Sequence, residues 1–209
     1  MDLIILGTGG HSKVVTQVFL ENEENRIFGY VDTQKNWVPE HLWLGPDNVL
    51  ERIFNRGVKN AFVAIGNNAV RNNLVSKLKK IGFNLPNIIS HAAYLAPNVI
   101  LKEGSLIMPG AIVNTNTSIG SGVIINTNAS VDHDCYLDDY VHIAPGVSLA
   151  GGVRVGKGTF IGVGGSVRDH VTIGQNSFIG VGSVVVNDLD PGFVYYGVPA
   201  IKVKRNETR

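Results

Sequence analysis

Aliphatic residues recur at every sixth position through the second half of the chain. All sixteen positions of this pattern carry leucine, isoleucine or valine: Leu95, Leu101, Ile107, Val113, Ile119, Ile125, Val131, Leu137, Ile143, Leu149, Val155, Ile161, Val167, Ile173, Ile179 and Val185. A short strand that directs one aliphatic side chain inward and then turns repeats with such a period, and coils of these strands stack into a solenoid. With three segments to a triangular coil, the pattern predicts a β-solenoid of about five coils.

Residues 1–90 follow a different pattern, in which strand-like apolar runs alternate with helix-like segments. The runs "LIILG" (3–7), "RIFGYVD" (26–32) and "AFVAIGNN" (61–68) predict strands. Val14, Val15, Val18 and Phe19 have helical spacing, and "AVRNNLVSKLKKIG" (69–82) predicts a second helix that ends on glycine. The sequence therefore predicts an α/β plus β-solenoid chain, with a small Rossmann-like domain at residues 1–90 and the solenoid domain with a C-terminal tail at residues 91–209.

Charge and composition exclude several classes of function. The 209 residues carry a formal net charge of +1, and the one short basic cluster, Lys202, Lys204 and Arg205, is predicted to be a solvated tail, so neither a nucleic-acid nor a membrane partner is expected. The single cysteine, Cys135, cannot form an intramolecular disulfide, and it is expected to pack in the solenoid. The first residues lack the pattern of a secretory signal, and no apolar run of about 18 residues occurs, so we expect a cytoplasmic protein.

Polar residues cluster where the three predicted strands end. These residues are "GTGGHS" (7–12), Asp32 with Thr33, and "GNN" (66–68). Glycines at the start of a helix let backbone N–H groups approach an anion, and ligands of parallel sheets bind at these strand ends. A phosphate-bearing ligand is therefore predicted here. Ser12 replaces a glycine of the dinucleotide-binding fingerprint whereas Asp32 matches its acidic residue, so an NAD-binding fold and a purely structural turn remain alternatives.

The stretch "SVDHDCYLDDYVHIAPG" (130–146) brings histidine and aspartate into the repeats. Because the repeat directs Val131 and Leu137 inward, the polar side chains are expected on the rim or the outside of the solenoid, namely Asp132, His133, Asp134, Asp138, Asp139 and His142. An imidazole beside a carboxylate is typical of a general base. Adjacent strand residues point to opposite faces, so His133 and Asp134 can pair only at a turn. The alternative is that these residues simply lie on a solvent-exposed face and have no chemical role.

Six motifs in order along the chain resemble one family. They are "GTGGHSKVV" (7–15), "YVD" (30–32), "AIGNNAVR" (64–71), "NTNASVDHDC" (126–135), "HIAPG" (142–146) and "YYGVPA" (195–200). The family is that of the bacterial nucleotide-sugar and sialic-acid acetyltransferases, which belong to the hexapeptide-repeat acyltransferases. The resemblance implies that the solenoid is a left-handed parallel β-helix.

The resemblance also implies roles for individual residues. His133 corresponds to the general base, Asp134 to the acid that tunes this base, and His142 to a contact of acetyl-CoA. Four further positions are implied to line the acetyl-CoA site, and the last three of them are expected to share one groove along the solenoid: Asn126, Gly151, Val163 and Val181. Six positions are implied to hold the nucleotide sugar: Gly9, Gly10, His11, Asp32, Thr33 and Gly66. Asp134 departs from the glutamate that many relatives carry at this position.

The implied activity is transfer of acetyl from acetyl-CoA to the 4-amino group of a 4-amino-4,6-dideoxyhexose on UDP or dTDP, for a surface polysaccharide or glycan, with no metal. A single prism offers only a shallow groove, so geometry and resemblance together predict a homotrimer with shared sites. Three alternatives stay open. They are O-acetylation of a sialic acid, a metal-dependent hydratase that uses His133, His142 and His170, and a non-catalytic module that binds a nucleotide.

Overall fold

The computed structural model describes residues 1–207 and begins with a four-stranded parallel sheet. The sheet contains β1 (Asp2–Leu6), β2 (Arg26–Val31), β3 (Trp43–Gly45) and β4 (Ala61–Val63), in the order β3-β2-β1-β4. The helices are α1 (Gly10–Phe19), α2 (Leu50–Asn55) and α3 (Asn68–Ile81), with short 3-10 turns at Glu40–Leu42 and Asp47–Val49. The predicted alternation of strands and helices is confirmed, although β4 ends five residues earlier than the apolar run implied.

An N-terminal cap and a C-terminal glycine set the two ends of α3, the helix that follows β4. The side chain of Asn67 caps its start by accepting the Val70 N–H at 3.0 Å, which satisfies one of the free donors of the first turn. The helix ends at Gly82, whose φ of 106° lies in the left-handed region that suits glycine. Residue positions 66–68 are therefore held at the carboxyl end of β4.

The second half of the chain is a parallel β-helix of short strands, as the six-residue period predicted. The domain-facing sheet contains Ile88–Ile89, Leu106–Ile107, Ile124–Ile125, His142–Ile143, Phe160–Ile161, Phe178–Ile179, Phe193–Tyr196 and Ile201–Arg205. The serine sheet contains Tyr94–Leu95, Ile112–Val113, Ser130–Val131, Ser148–Leu149, Ser166–Val167 and Val184–Val185. The third sheet contains Ile100–Leu101, Ser118–Ile119, Tyr136–Leu137, Arg154–Val155 and Thr172–Ile173. Equivalent residues of successive coils pair at a spacing of 18, as Ser130 does with Ser148.

The turns between the sheets form the edges of the prism. We call the turns that join the domain-facing sheet to the serine sheet the first edge (126–129, 144–147, 162–165 and 180–183). The turns that join the serine sheet to the third sheet form the second edge (114–117, 132–135, 150–153 and 168–171). The second edge lies opposite the domain-facing sheet, because each corner of a triangular prism is opposite one face.

The N-terminal domain covers the first coils of the domain-facing sheet. Leu106 and Ile124 point out of the prism, yet both are buried, because they pack with Leu3 and Ile5 of β1 in one apolar cluster. The inward residues of the repeat form a separate core that runs along the prism. At the other end, Ile201–Arg205 is exposed, as predicted for a solvated tail, but it is not frayed, because it forms a strand paired antiparallel with Phe193–Tyr196.

Candidate active site

His133 and Asp134 form a hydrogen-bonded pair on the second edge. Their side chains are about half exposed, and Nδ1 of His133 lies 2.7 Å from Oδ2 of Asp134. The pairing is possible because Asp134 has a φ of 59° at the corner of the coil, which turns its side chain toward the preceding imidazole. The hydrogen bond with Asp134 raises the pKa of His133, and the same bond together with one from Asn116 lowers the pKa of Asp134. The carboxylate can only accept, so Nδ1 carries the hydrogen and Nε2 keeps a free lone pair.

The coil above the pair holds it in place. Asn116, 18 residues before Asp134, donates its amide to Oδ1 of Asp134 at 3.2 Å. Asn114 donates to Asp132 at 3.0 Å, and the same Asp132 oxygen accepts the backbone N–H of His133 at 2.8 Å. Our sequence analysis did not identify these asparagines. The 18-residue spacing between polar corner residues is the signal that could have found them.

Gly151 lies directly below the His133 ring, one coil further along the second edge. A Cβ added to this glycine would be 2.5 Å from Cε1 and 2.6 Å from Nε2 of His133. The backbone N–H of Gly151 has no hydrogen-bond acceptor within residues 1–207. The expectation that Gly151 shares one groove with Val163 and Val181 is wrong, because a spacing of 12 residues is two thirds of a coil and leads to the first edge.

The first edge carries the other residues that were expected to line the acetyl-CoA site. Val163 and Val181 follow equivalent strands one coil apart, and their side chains are 47% and 73% exposed. Their backbone N–H groups have no acceptor in the described part of the chain. Asn126 begins an earlier turn of the same edge. The first edge therefore presents apolar side chains and free N–H donors along the prism axis.

His142 points out of the prism, as expected, but it is not solvated: it is only 7% exposed. The end of β4 covers it, and its Nδ1 lies 3.1 Å from the carbonyl oxygen of Gly66. Its Nε2 lies 3.2 Å from the amide nitrogen of Asn126, and Phe160 packs edge-on against the ring at 5.0 Å. Burial and the charge of Arg71 lower the pKa of His142 to about 3. The ring is therefore neutral at physiological pH.

The glycine loop at the start of α1 faces open space. Gly9 is the N-cap of α1 and Gly10 is its first residue, and a Cβ at either position would meet no atom within 4 Å. His11 follows, and its ring centroid lies 6.4 Å from that of His142. Nε2 of His11 is buried and is the one such side-chain polar atom without a partner in residues 1–207. Burial and Arg71 lower the pKa of His11 to about 4, so the ring is neutral at physiological pH and Nε2 is a buried polar atom that needs a partner.

Asp32 ties the end of β2 to the glycine loop. Its carboxylate accepts the backbone N–H of Thr8 at 2.8 Å, and Thr33 and Gln34 donate to its other oxygen. Burial alone would raise the pKa of Asp32, but these hydrogen bonds outweigh it and lower the pKa. Asp32, Thr33, the glycine loop and Gly66 thus lie together at the carboxyl ends of β1, β2 and β4, as predicted from the strand ends.

Three further expectations from the sequence concern Cys135, a metal site and a membrane-spanning segment. Cys135 is buried in the prism, and burial raises the pKa of its thiol to about 11, which disfavours the thiolate form that a nucleophile needs. Within residues 1–207, no three histidine, cysteine or acidic side chains converge in a way that could hold a metal, and this includes His133, His142 and His170. None of the helices in these residues is both long and apolar enough to span a bilayer.

Two family models match different parts of the chain. Residues 2–78 match the family described as PglD N-terminal domain, and residues 116–151 match the family described as bacterial transferase hexapeptide (six repeats). The perosamine N-acetyltransferase of Caulobacter crescentus, solved with CoA and GDP-perosamine, is 39% identical with a TM-score of 0.93 over 97% of each chain.

Two further solved structures share the whole fold. The acetyltransferase domain of PglB from Neisseria gonorrhoeae is 34% identical, with a TM-score of 0.92 over 97% of this chain and 99% of that domain. It has also been solved with acetyl coenzyme A. WeeI from Acinetobacter baumannii, at 24% identity, has a TM-score of 0.88 over 97% of this chain and 100% of its own, and supports the fold alone.

Proposed function

This chain belongs to the bacterial nucleotide-sugar and sialic-acid acetyltransferase family, as an acetyl-CoA-dependent N-acetyltransferase of nucleotide-linked amino sugars, and we propose that its acceptor is the 4-amino group of a 4-amino-4,6-dideoxyhexose. The observation that carries the proposal is the exposed His133–Asp134 pair on the second edge. It provides a base with a free Nε2 and a raised pKa at a position that a bulky acceptor can reach.

In the proposed reaction the acceptor amine attacks the thioester carbonyl carbon of acetyl-CoA. A C–N bond forms while Nε2 of His133 takes the proton that the nitrogen loses. Collapse of the tetrahedral adduct breaks the C–S bond, and the imidazolium returns the proton to the sulfur of CoA. The free N–H of Gly151, beside the His133 ring, is the proposed donor to the oxyanion. Asp134 holds the tautomer and stabilises the imidazolium.

We assign the two substrates to different parts of the chain. Residues 1–90 bind the nucleotide sugar, with the diphosphate at Gly9, Gly10 and the start of α1, and with further contacts from His11, Asp32, Thr33 and Gly66. Residues 91–209 bind acetyl-CoA along the first edge, where the proposed contacts are Asn126, His142, Val163 and Val181. Free backbone N–H groups of Val163 and Val181 suit the amide carbonyls of a pantetheine arm.

The positions of the two histidines support a shared site in a homotrimer. His142 lies on the domain-facing sheet beside Gly66, whereas His133 lies on the opposite edge of the same prism. A nucleotide sugar bound to the N-terminal domain therefore cannot reach His133 of its own chain without crossing the serine sheet or the third sheet. The outward residues of the serine sheet are uncharged and suit packing around a threefold axis: Tyr94, Ile112, Ser130, Ser148, Ser166 and Val184. Such packing places the second edge of one chain against the first edge of its neighbour.

The nucleotide and the pathway complete the proposal. We propose UDP or dTDP as the nucleotide and a surface polysaccharide or glycan as the destination of the sugar. GDP is the main alternative nucleotide, because the perosamine N-acetyltransferase, which is 39% identical to this chain, was solved with GDP-perosamine. A panel of UDP-, dTDP- and GDP-linked 4-amino-4,6-dideoxyhexoses, with free sialic acid as comparator, separates these cases by release of free CoA. Acetylation of sialic acid but of none of the amino sugars would overturn the proposal.

A further inference from the structure

Arg71 is buried where the N-terminal domain meets the β-helix. It lies in α3 and is only 1% exposed, although burial lowers its pKa only to about 9, so it is charged at neutral pH. Its guanidinium makes five hydrogen bonds: Nε to Gly122 O at 2.8 Å, Nη1 to Ile65 O at 3.0 Å and to Gly66 O at 3.1 Å, and Nη2 to Asn68 Oδ1 at 2.8 Å and to Tyr140 O at 3.0 Å. The acceptors come from both domains, and all five are uncharged oxygens.

A buried guanidinium without a carboxylate partner is costly, and the five hydrogen bonds that it donates offset part of that cost. The guanidinium also fixes the position of each oxygen that it contacts, because its donors lie in one rigid plane. Of the five acceptors, the carbonyl of Gly66 is the one that also contacts an imidazole proposed to bind acetyl-CoA, that of His142. The lone pairs of this oxygen accept from both Nη1 of Arg71 and Nδ1 of His142, each at 3.1 Å.

These contacts determine the tautomer of His142. A carbonyl oxygen can only accept, so Nδ1 of His142 carries the hydrogen. On the other side of the ring, Oδ1 of Asn126 accepts the N–H of Thr127 at 2.9 Å, which turns the Asn126 amide nitrogen toward Nε2 of His142 at 3.2 Å. Nε2 is therefore an acceptor. The charged or titratable groups that act on this ring are Arg71 and His11, and both oppose its protonation.

We propose that Arg71 is a positioning residue for the active site, which holds the Gly66 carbonyl against His142 and so keeps the imidazole in the neutral Nδ1–H form. In this form His142 offers no hydrogen to acetyl-CoA. The one lone pair of Nε2 accepts from the Asn126 amide, so a pantetheine N–H can bind Nε2 only by displacing that amide. The contact between His142 and acetyl-CoA rests on the proposed function. The Nδ1–H tautomer of His142 in the unliganded protein does not depend on it.

The wild-type protein gives the first test. Long-range proton–nitrogen spectra of protein labelled with 15N-histidine, with the signal assigned by its loss in His142→Gln, report which ring nitrogen carries hydrogen. We expect the Nδ1–H form, unchanged from about pH 5 to about pH 8, the range in which an ordinary histidine titrates. An Nε2–H form, or a ring that titrates in this range, would overturn the assignment even if the protein acetylates amino sugars. A wild-type protein that acetylates none of them, with the expected spectrum, would count against the function alone.

Variants test the role of Arg71 itself. Arg71→Lys keeps the charge, but the lysine side chain cannot reach all five oxygens. We therefore expect a mixed or altered His142 spectrum. We also expect kcat/KM for acetyl-CoA to fall by about 100-fold, the usual cost of a misplaced active-site group. The control is Glu21→Ala, which breaks another contact between the two halves, where the carboxylate accepts from Ser90 Oγ at 2.9 Å and from His91 N–H at 2.6 Å. This control should leave spectrum and kinetics unchanged.

A milder variant covers the case in which Arg71→Lys does not fold. Asn68→Ala removes one of the five hydrogen bonds of Arg71 and is expected to shift the spectrum and the kinetics in the same direction, by a smaller amount. A folded Arg71→Lys protein with the wild-type spectrum and wild-type kinetics would overturn the positioning role. So would an unfolded Arg71→Lys protein together with an Asn68→Ala protein that matches wild type in both measurements.

Discussion

The imidazole of His133 occupies the space that a side chain on Gly151 would need. An added Cβ would lie 2.5 Å from Cε1 of the ring, far inside van der Waals contact. The two residues are 18 apart in sequence and one coil apart in the prism. Glycine at position 151 is therefore a condition for the observed position of the proposed base.

The first prediction follows from this contact. Gly151→Ala should displace the His133 ring and lower kcat by about 100-fold, while the melting temperature changes little, because the exposed ring can move outward. The measurement is kcat for the single variant and for the double variant with His133→Ala. If ring displacement is the cause, Gly151→Ala should lower kcat little further in a chain that already carries His133→Ala. Full additivity of the two effects would contradict this explanation.

Removal of the base itself gives the second prediction. His133→Ala should lower kcat by about 100-fold to 10,000-fold, the usual contribution of a positioned general base, whereas the Kd of acetyl-CoA should change little. Steady-state kinetics and calorimetric titration with CoA measure the two effects. Retention of more than about a third of the wild-type rate would show that His133 is not the base.

The third prediction concerns pH. The hydrogen bond with Asp134 raises the pKa of His133, and a general base acts only when it is deprotonated, so activity should appear as pH rises through this raised value. Asp134→Asn removes the negative partner and lowers the pKa of His133. The acidic limb of the kcat/KM profile should then move to lower pH, and the plateau should fall because the base is weaker. A limb that stays in place or moves to higher pH would contradict the pairing.

The glycine loop supplies the fourth prediction. Gly9 has φ −80° and ψ −172°, which a β-branched residue tolerates, and a Cβ there meets no protein atom within 4 Å. Gly9→Val should therefore fold normally. It should raise the KM of the nucleotide sugar by about 10-fold or more with little effect on the KM of acetyl-CoA, because the new side chain occupies the space proposed for the diphosphate. Equal changes in both KM values would argue against separate binding sites.

Much of the fold could be predicted because local patterns determine it. The six-residue period gave the register of the β-helix, since each lead residue, such as Val131 or Leu137, is buried in the prism. The short strand Trp43–Gly45 and the C-terminal strand Ile201–Arg205 were missed. All five residues of the C-terminal strand are exposed, and the strand is defined by pairing with Phe193–Tyr196 rather than by an alternating pattern of burial.

The site was predictable only where neighbouring residues form it. His133 and Asp134 are adjacent, and the family resemblance identified them together. The burial of His142 could not be read from its hexapeptide, because the atoms that cover it belong to Gly66, 76 residues earlier. Arg71 ends the motif "AIGNNAVR" (64–71), but no role was predicted for it, because nothing local distinguishes the one charged residue of this helix that reaches into the interface.

The central claim is that His133 on the second edge of one chain works with the first edge of its neighbour. Gly151 cannot serve as the second variant of a complementation pair, because it contacts His133 of its own chain. Val181 suits this purpose, because it lies on the first edge and is 73% exposed, so Val181→Trp should block the acetyl-CoA groove without disturbing the core.

The most direct measurement is therefore the activity of mixed oligomers made by co-expressing His133→Ala and Val181→Trp chains, each inactive alone. With random assembly into trimers, about a quarter of the clefts combine an intact His133 with an intact first edge of the next chain, so about a quarter of wild-type activity should return. Oligomers verified to contain both chains but no recovered activity would contradict the shared site, and so would a fully active monomer.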